Sequence, residues 1–148
     1  MIAEESVEID APAPLVWEVF SDVQRWPEWT ASVTSLVGRD GADLAVGKRF
    51  AIKQPGMSKL VWEVTEIDPG SSWTWVQRSP GVRVSARHDV IALPGGRTLV
   101  RQQLDQGGLV GALLGRLTVT KTKRFLEVEA QGLKARSEEL SRGNGSHS

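Results

Sequence analysis

His88 is the residue of this chain that most clearly offers acid–base chemistry. The sequence has one other histidine, His147, which lies next to the last residue. Apolar and charged residues alternate over 82–93, which predicts a half-buried antiparallel strand with His88 on its apolar face. A histidine placed there can act as a general acid or base, or donate a hydrogen bond to a ligand carbonyl. Burial predicts a pKa below the ordinary value of ~6.5. A purely structural histidine is the alternative, because no carboxylate shares its predicted face.

Three glutamines and one arginine are candidate ligand-orienting residues. Gln54, Gln77 and Gln102 fall on the predicted inner faces of three strands, where their amides can bind ligand oxygens. A register shift of one residue would turn each of them outward. Arg124 lies near the inward stripe of a predicted C-terminal helix. It would pair there with an acidic ligand, or extend to the rim of a cavity.

The sequence contains no complete catalytic motif of the common kinds. Glu63 alternates to the solvent face of its strand and Asp68 lies in a turn, so these two and Glu66 are interpreted as surface and turn residues. We find no Gly-x-Ser-x-Gly elbow, no phosphate-binding loop with its lysine and no complete dinucleotide fingerprint. Because the chain has no cysteine and so few histidines, we predict neither a metal site nor a cofactor.

Composition narrows the class of protein. The 148 residues predict one domain over 1–141, followed by a polar tail over 142–148 without fixed structure. Eighteen basic residues balance eighteen acidic ones, so a nucleic-acid partner is not expected. The longest apolar run, 109–117, is broken by glycine and too short for a membrane span of ~20 residues. The lack of cysteine fits a cytoplasmic location. Monomer and homodimer both remain open.

Turn signals divide the middle of the chain into short strands. Prolines in the first turn start a helix over 11–21, and a second short turn follows at 23–26. Apolar periodicity predicts a long helix from 109 to about 140. The predicted strands are 6–9, 33–37, 49–53, 60–67, 73–78, 82–93 and 98–105.

The aromatic residues indicate a cavity. The chain has six tryptophans and no tyrosine. Several tryptophans on one concave sheet face would form a wall for a flat or lipophilic molecule, although core packing is the alternative for any single one. The predicted apolar lining consists of Trp29, Phe50, Ile52, Trp62, Trp73, Trp75, Val84, Val100, Leu113 and Leu117.

Several short motifs occur at characteristic places along these elements. They are Ile9-Asp10-Ala11-Pro12, Val16-Trp17, Asp22, Trp26-Pro27-Glu28-Trp29, Val64-Thr65-Glu66-Ile67-Asp68-Pro69, His88, Leu93-Pro94-Gly95-Gly96-Arg97-Thr98 and Gly107-Gly108. With the order of the elements, these motifs resemble the START-like superfamily, in particular its polyketide cyclase/dehydrase branch. The resemblance implies an α+β helix-grip fold, in which a seven-stranded antiparallel sheet wraps around a long C-terminal helix and two short helices close one end of an apolar cavity. It implies no shared catalytic residues.

Three functions are compatible with this sequence. The first is binding or carriage of a small lipophilic or aromatic molecule, lipid- or polyketide-like, in the cavity. The second is a cyclase, aromatase or dehydratase that uses His88 as acid or base, since positioning alone can accelerate a reaction. The third is an interaction protein whose cavity is filled. Polar groups that converge inside an open cavity would favour the enzyme, and a uniformly apolar cavity would favour the carrier.

Overall fold

A computed structural model describes the backbone of residues 2–145 and the side chains of residues 3–108 and 120–143. The elements of this part of the chain are β1 (Ile2–Ile9), α1 (Ala13–Ser21), a 3₁₀ helix (Val23–Glu28), β2 (Ser35–Gly38), β3 (Arg49–Lys53), β4 (Leu60–Asp68), β5 (Ser72–Ser79), β6 (Val82–Leu93), β7 (Arg97–Gly107) and α2 (Leu109–Gly145). The strands form one antiparallel sheet in the order β1-β7-β6-β5-β4-β3-β2. The predicted α+β helix-grip architecture is confirmed.

Alternation along the central strands determines which side chains face α2. Trp73 of β5, His88 of β6 and Gln102 of β7 are register partners and therefore share one face of the sheet. All three side chains are buried on this concave face, whereas Arg87 and Arg101 alternate to the convex face. The next row towards the ends of β5 and β7 consists of Trp75, Ala86 and Leu104.

Two short helices close one end of the sheet. Pro12 is the N-cap of α1 and is extended, with ψ 148°, so the helix begins at Ala13, two residues after its predicted start. Val16 and Phe20 are buried one turn apart and direct this helix into the core. The 3₁₀ helix that follows is held against α1 by the indole of Trp26, whose Nε1 donates to the Phe20 carbonyl at 2.8 Å.

The helix α2 lies across the concave face. Among its described side chains, those of Leu126, Glu129, Ala130, Leu133 and Ser137 are buried at helical spacing. The helix extends to Gly145, so 142–145, predicted as a polar tail, form its last turn, where a basic residue opposes the negative end of the helix dipole. Residues 146–148 lie outside the described part of the chain.

Polar contacts fix the C-terminal half of α2. Glu138 accepts a hydrogen bond from the backbone N of Asp10 at 2.9 Å, just after β1. Arg136 pairs with Glu28 of the 3₁₀ helix at 2.8 Å. These contacts place the end of α2 beside the C-terminal end of β1.

Gly132 allows α2 to approach the 3₁₀ segment closely. A Cβ atom built on Gly132 would lie 2.1 Å from the carbonyl oxygen of Trp29 and 3.2 Å from its ring. Such a distance to a backbone atom is far inside van der Waals contact. The glycine is therefore required by packing rather than by an unusual backbone angle.

Several strand ends differ from the predicted ones. β1 begins at Ile2, whereas the predicted strand begins at residue 6. The prediction started too late because Glu5, between Ala3 and Val7 on the inward face, interrupts the apolar alternation. β2 is shifted from 33–37 to Ser35–Gly38 by its register with β3. No helix in the described part of the chain has an apolar stretch long enough to cross a bilayer.

Candidate functional site

A cavity of about 380 Å³ lies between the concave face of the sheet and α2. Its walls are mainly apolar and come from β3 to β7, the 3₁₀ helix, the β3–β4 loop and α2. The cavity is open rather than filled, which argues against the interpretation as an interaction protein with a vestigial interior. Its main apolar lining residues are Trp26, Ile52, Met57, Leu60, Trp62, Trp75, Val82, Val84, Ala86, Leu104, Phe125 and Leu126.

Eight of the predicted site residues line this cavity. Three tryptophans form its aromatic wall, because Trp75 contacts both Trp26 and Trp62, with ring centroids 5.6 and 6.1 Å apart. Of these, Trp26 was not among the predicted lining residues. The eight are Ile52, Gln54, Trp62, Trp75, Gln77, Val84, His88 and Gln102.

Four other predicted residues lie in the core outside the lining. Phe50 and Val100 are fully buried behind the wall. Trp73 is enclosed by α1, with the Phe20 ring centroid 4.8 Å from its own, so it closes the end of the cavity instead of lining it. Trp29 is half-buried and packs on α2 at Gly132. Alternation placed Phe50, Val100 and Trp73 on the correct face, but it could not show that the short helices cover part of that face.

The prediction for Arg124 is wrong. Its side chain is 74% exposed and pairs with Glu127 on the outer surface of α2, at 3.7 Å. The inward row instead advances four residues at a time through Phe125 and on to Leu133. The predicted stripe left Arg124 and Phe125 as alternatives at this position. Phe125 is the one that lies inward, and Arg124 lies ~100° from it around the helix. Leu113 and Leu117, also predicted to line the cavity, lie outside the residues whose side chains are described.

His88 is buried in an aromatic environment. Its ring stacks on Trp73, with centroids 4.1 Å apart and planes 11° from parallel, and its edge contacts Phe20. Nδ1 lies 3.3 Å from the carbonyl oxygen of Trp73. Burial lowers the pKa of His88 to about 3, against a smaller opposing effect of that carbonyl. The predicted direction of the pKa shift is confirmed, and the imidazole is neutral at physiological pH.

Glu129 of α2 is the polar residue that sequence reasoning missed. It is 6% exposed and lines the cavity. The amide Nε2 of Gln102 donates a hydrogen bond to its Oε1 at 2.5 Å. Burial raises the pKa of Glu129 to about 8, and the hydrogen bond from Gln102 only partly offsets this. The carboxyl group is therefore mostly protonated at pH 7.

A signal for Glu129 was present in the sequence. It lies four residues after Phe125 and four before Leu133, on the apolar row of an otherwise amphipathic helix. A carboxylate in an apolar row is seldom left unpaired when it is buried. No carboxylate shares the predicted face of His88 within its own strand. Glu129 reaches the cavity from α2, which packs over that strand.

The other polar lining residues lie towards the ends of the strands. The Gln77 amide hydrogen-bonds to the Ser79 hydroxyl at the β5–β6 turn. Lys121 is exposed beside Gly56 of the β3–β4 loop, and its Nζ lies 5.7 Å above the Phe125 ring. These residues mark the mouth of the cavity. Within the described residues, no group of three or more acidic or histidine side chains is arranged to hold a metal ion.

Fold and site together define a class, that of small domains in which a curved antiparallel sheet and a long helix enclose a ligand-sized, mostly apolar cavity. The model of the family described as polyketide cyclase/dehydrase and lipid transport matches residues 2–138. The chain belongs to this family, and the resemblance stated from the sequence is confirmed. No curated protein sequence matches it significantly.

Solved structures of similar fold include both enzymes and other proteins. The Zhui aromatase/cyclase from Streptomyces sp. R1128 is 17% identical over 93% of each chain, with a TM-score of 0.76. A START superfamily protein from Mycobacterium smegmatis is 18% identical, with 94% and 98% of the chains covered and a TM-score of 0.69. A norcoclaurine synthase from Thalictrum flavum is 13% identical over 95% of each chain, with a TM-score of 0.76. At these identities the similarity shows the fold alone.

Proposed function

We propose that this protein binds a small lipophilic or aromatic molecule in the cavity between the sheet and α2. The observation that carries the proposal is an open space of about 380 Å³ with an aromatic wall of Trp26, Trp62 and Trp75. Apolar pockets of this size with a few polar groups are typical of small-molecule sites. The family description, which includes lipid transport, agrees with this proposal.

An enzyme of the cyclase, aromatase or dehydratase type is the second candidate. It is favoured by the polar cluster on one wall, where Gln102 joins Glu129 directly and is the register partner of His88. General acids work best with a pKa near the working pH. With a pKa of about 3, His88 remains neutral and serves as a hydrogen-bonding group, whereas Glu129, at about 8, holds a transferable proton. In this candidate Glu129 therefore takes the acid–base role predicted for His88.

A cavity-filling pair of variants tests the proposed binding. Ala86 lines the cavity, and its neighbour Ser85 points to the opposite face of β6. The probe is 2-ethylnaphthalene, and the readout is quenching of the intrinsic fluorescence, which the three lining tryptophans report directly. We expect Ala86→Leu to weaken binding by ~10-fold or more, since overpacking costs about 1–3 kcal/mol. Ser85→Leu is the matched control and should bind like the wild type. Failure of the wild type to bind the probe, or equal weakening by both variants, would contradict the proposal.

Native mass spectrometry separates the carrier from the enzyme. Wild-type protein and Glu129→Gln, both purified from the natural host, are compared for a retained small molecule. A carrier is expected to retain the same molecule in both proteins. An aromatase or dehydratase is expected to retain molecules that differ by the mass of water, and a cyclase that releases no water is expected to retain isomers that tandem mass spectrometry distinguishes, because the variant cannot donate the carboxyl proton and accumulates substrate. If neither protein retains a molecule and the cavity does not bind the naphthalene probe, both candidate functions are wrong.

A further inference from the structure

Positively charged side chains without acidic partners surround the mouth of the cavity. Lys59 lies in the β3–β4 loop, and Lys121 lines the cavity from α2. Arg78 and Arg83 flank the β5–β6 turn. All four side chains are exposed, and none of them forms an ion pair within the part of the chain that the structure describes. We call these four residues the mouth cations.

Most cations at the opposite end of the molecule have acidic partners instead. Arg25 and Arg136 both pair with Glu28, at 2.9 and 2.8 Å. Arg49 donates two side-chain hydrogen bonds to Asp40, at 3.0 and 2.9 Å. The whole chain has as many acidic as basic residues. This arrangement therefore leaves an excess of positive charge at the mouth of a molecule that is neutral as a whole.

Two of the mouth cations oppose each other across the β5–β6 hairpin. Arg78 and Arg83 are register partners, and like charges directly opposite each other in a sheet are destabilising. The acidic side chains of the neighbouring strands, Glu63 and Asp105, lie two residues further from the turn in register. A negative charge outside this chain would relieve the repulsion. The pair therefore indicates an anionic partner at the mouth.

Apolar residues lie between the mouth cations. Pro55 and Pro80 are exposed in the β3–β4 loop and the β5–β6 turn, and Met57 and Val82 beside them are half-buried and line the cavity. Apolar groups combined with lysine and arginine are typical of surfaces that bind the interface of an anionic membrane. Because the mouth cations come from three elements around an opening, a broad anionic surface can contact all of them, whereas one acidic helix or loop would contact only some. This distribution favours a bilayer over an acidic protein.

We propose that the mouth of the cavity docks on an anionic lipid bilayer, with the mouth cations on the lipid phosphates and the two apolar turns at the interface. Docking requires no ligand in the cavity, so this inference goes beyond the proposed function. When a lipophilic ligand is present, the contact gives it a path between bilayer and cavity that avoids water.

Vesicle binding tests the proposal directly. Sedimentation of the wild type is compared with vesicles of phosphatidylcholine alone and with vesicles of equal parts phosphatidylglycerol and phosphatidylcholine. Each lysine or arginine near an anionic surface contributes about 5-fold to binding, equivalent to ~1 kcal/mol. We therefore expect the anionic vesicles to bind ~100-fold or more tightly than the neutral ones. This preference should disappear at ~1 M salt, where the screening length is ~3 Å.

Two double variants of equal net charge assign the effect to the mouth. Arg78→Gln/Arg83→Gln removes two mouth cations and should weaken binding to the anionic vesicles by ~25-fold, at ~5-fold for each charge. The control is Arg39→Gln/Arg142→Gln, because both residues are exposed and lie away from the mouth, after β2 and near the end of α2. It should bind within ~2-fold of the wild type, since charges beyond the screening length contribute little. Equal weakening by the two variants would overturn the proposal, because only net charge would then matter.

A fluorescent label determines which end of the molecule meets the bilayer. The chain has no cysteine, so a single introduced cysteine carries the only nitrobenzoxadiazole group. Pro80→Cys and Pro94→Cys place it in the exposed turns at the two ends of β6. Anionic vesicles should shift the emission of the Pro80→Cys label to shorter wavelength and leave that of Pro94→Cys unchanged. Equal shifts, or a shift for Pro94→Cys alone, would contradict docking through the mouth.

The outcomes separate this inference from the proposed function. If the wild type binds 2-ethylnaphthalene but not the anionic vesicles, bilayer docking is wrong and lipophilic binding stands. Binding of polyglutamate in that case would assign the mouth to an acidic protein. If the vesicles bind in the expected orientation but 2-ethylnaphthalene does not bind, only the proposed function is wrong. If Arg78→Gln/Arg83→Gln does not fold, the labelled proteins still decide the matter, because they retain both arginines.

Discussion

His88 and Glu129 show how one environment neutralises two groups of opposite type. Both lie in the apolar interior of the molecule, and burial disfavours the charged form of each. The pKa of His88 therefore falls to about 3 and that of Glu129 rises to about 8. Over the range between these values the interior carries no charge from either group.

These shifts predict the pH dependence of stability. A histidine with a lowered pKa contributes stability above its unfolded-state value of 6.5, which is lost as pH falls towards about 3. A glutamate with a raised pKa contributes stability below 4.5, which is lost as pH rises towards about 8. Between pH 4.5 and 6.5 the two effects have opposite slopes and cancel. We therefore expect Glu129 to lower the free energy of unfolding by roughly 1 kcal/mol per pH unit between 6.5 and 8.

Urea denaturation of the wild type, Glu129→Gln and His88→Gln measures both effects. The difference between wild type and Glu129→Gln should change throughout pH 4.5 to 8, and the difference between wild type and His88→Gln throughout pH 3 to 6.5, because each subtraction removes the effect of the other group. A histidine NMR titration provides an independent check, because the His88 imidazole should stay neutral at pH 5. If His88 titrates like a free peptide, its burial is wrong as described.

At the residue scale, the sequence predicted the direction of a side chain best where the pattern lay within a single strand. Strict alternation along β6 was enough to place His88 inward and to predict the direction of its pKa shift. The position of Glu129 could not be obtained in the same way, because the contact with Gln102 joins residues 27 apart on two elements. In a helix, a phase error of one residue turns a side chain by ~100°, and this is how Arg124 comes to lie on the outer surface instead of in the cavity.

At the scale of elements, α2 depends on one residue without a side chain. Gly132→Ala would place a methyl group against the Trp29 carbonyl, so the helix or the 3₁₀ segment must move apart. We expect a loss of about 1–3 kcal/mol of stability, as is usual for overpacking. Because the same movement shifts the cavity wall at Glu129, three residues earlier on α2, binding of 2-ethylnaphthalene should weaken as well.

Gly143→Ala is the control within the same helix. A Cβ atom at Gly143 would contact nothing within 4 Å. Alanine has the higher helix propensity, so this variant should be unchanged or stabilised by up to ~1 kcal/mol. Thermal unfolding of both variants compares the two sites. Equal melting temperatures for Gly132→Ala and the wild type would show that α2 is not held as close to Trp29 as described.

The elements themselves were predictable to different degrees. Turns marked by glycine and proline fixed the existence of every strand, and β3 and β6 agree with their predicted ends. The coverage of the concave face by α1 and the 3₁₀ helix was not predictable from alternation. It depends on how helices pack over a curved sheet, and this packing removed Trp73 from the cavity lining.

At the scale of the whole molecule, the sheet joins distant parts of the chain. β1 pairs with β7 along its full length, from Ile2 opposite Asp105 to Ile9 opposite Thr98. Local patterns did not predict this pairing, because no short segment encodes its partner. It also brings the start of β1 to the same end of the sheet as Gln106, which lines the cavity near its mouth.

The two ends of the described chain consequently differ as attachment points for fusion partners and affinity tags. Ile2 lies at the end of the sheet where Ser79, Val82 and the β3–β4 loop surround the mouth. The end of α2 lies at the other end, where Glu138 meets Asp10. A bulky protein fused ahead of Ile2 should slow association of 2-ethylnaphthalene in stopped-flow fluorescence, whereas the same protein fused after α2 should leave the rate unchanged. Immobilisation through the C-terminal end therefore keeps the mouth of the cavity accessible to ligands, and equal association rates for the two fusions would place the mouth elsewhere.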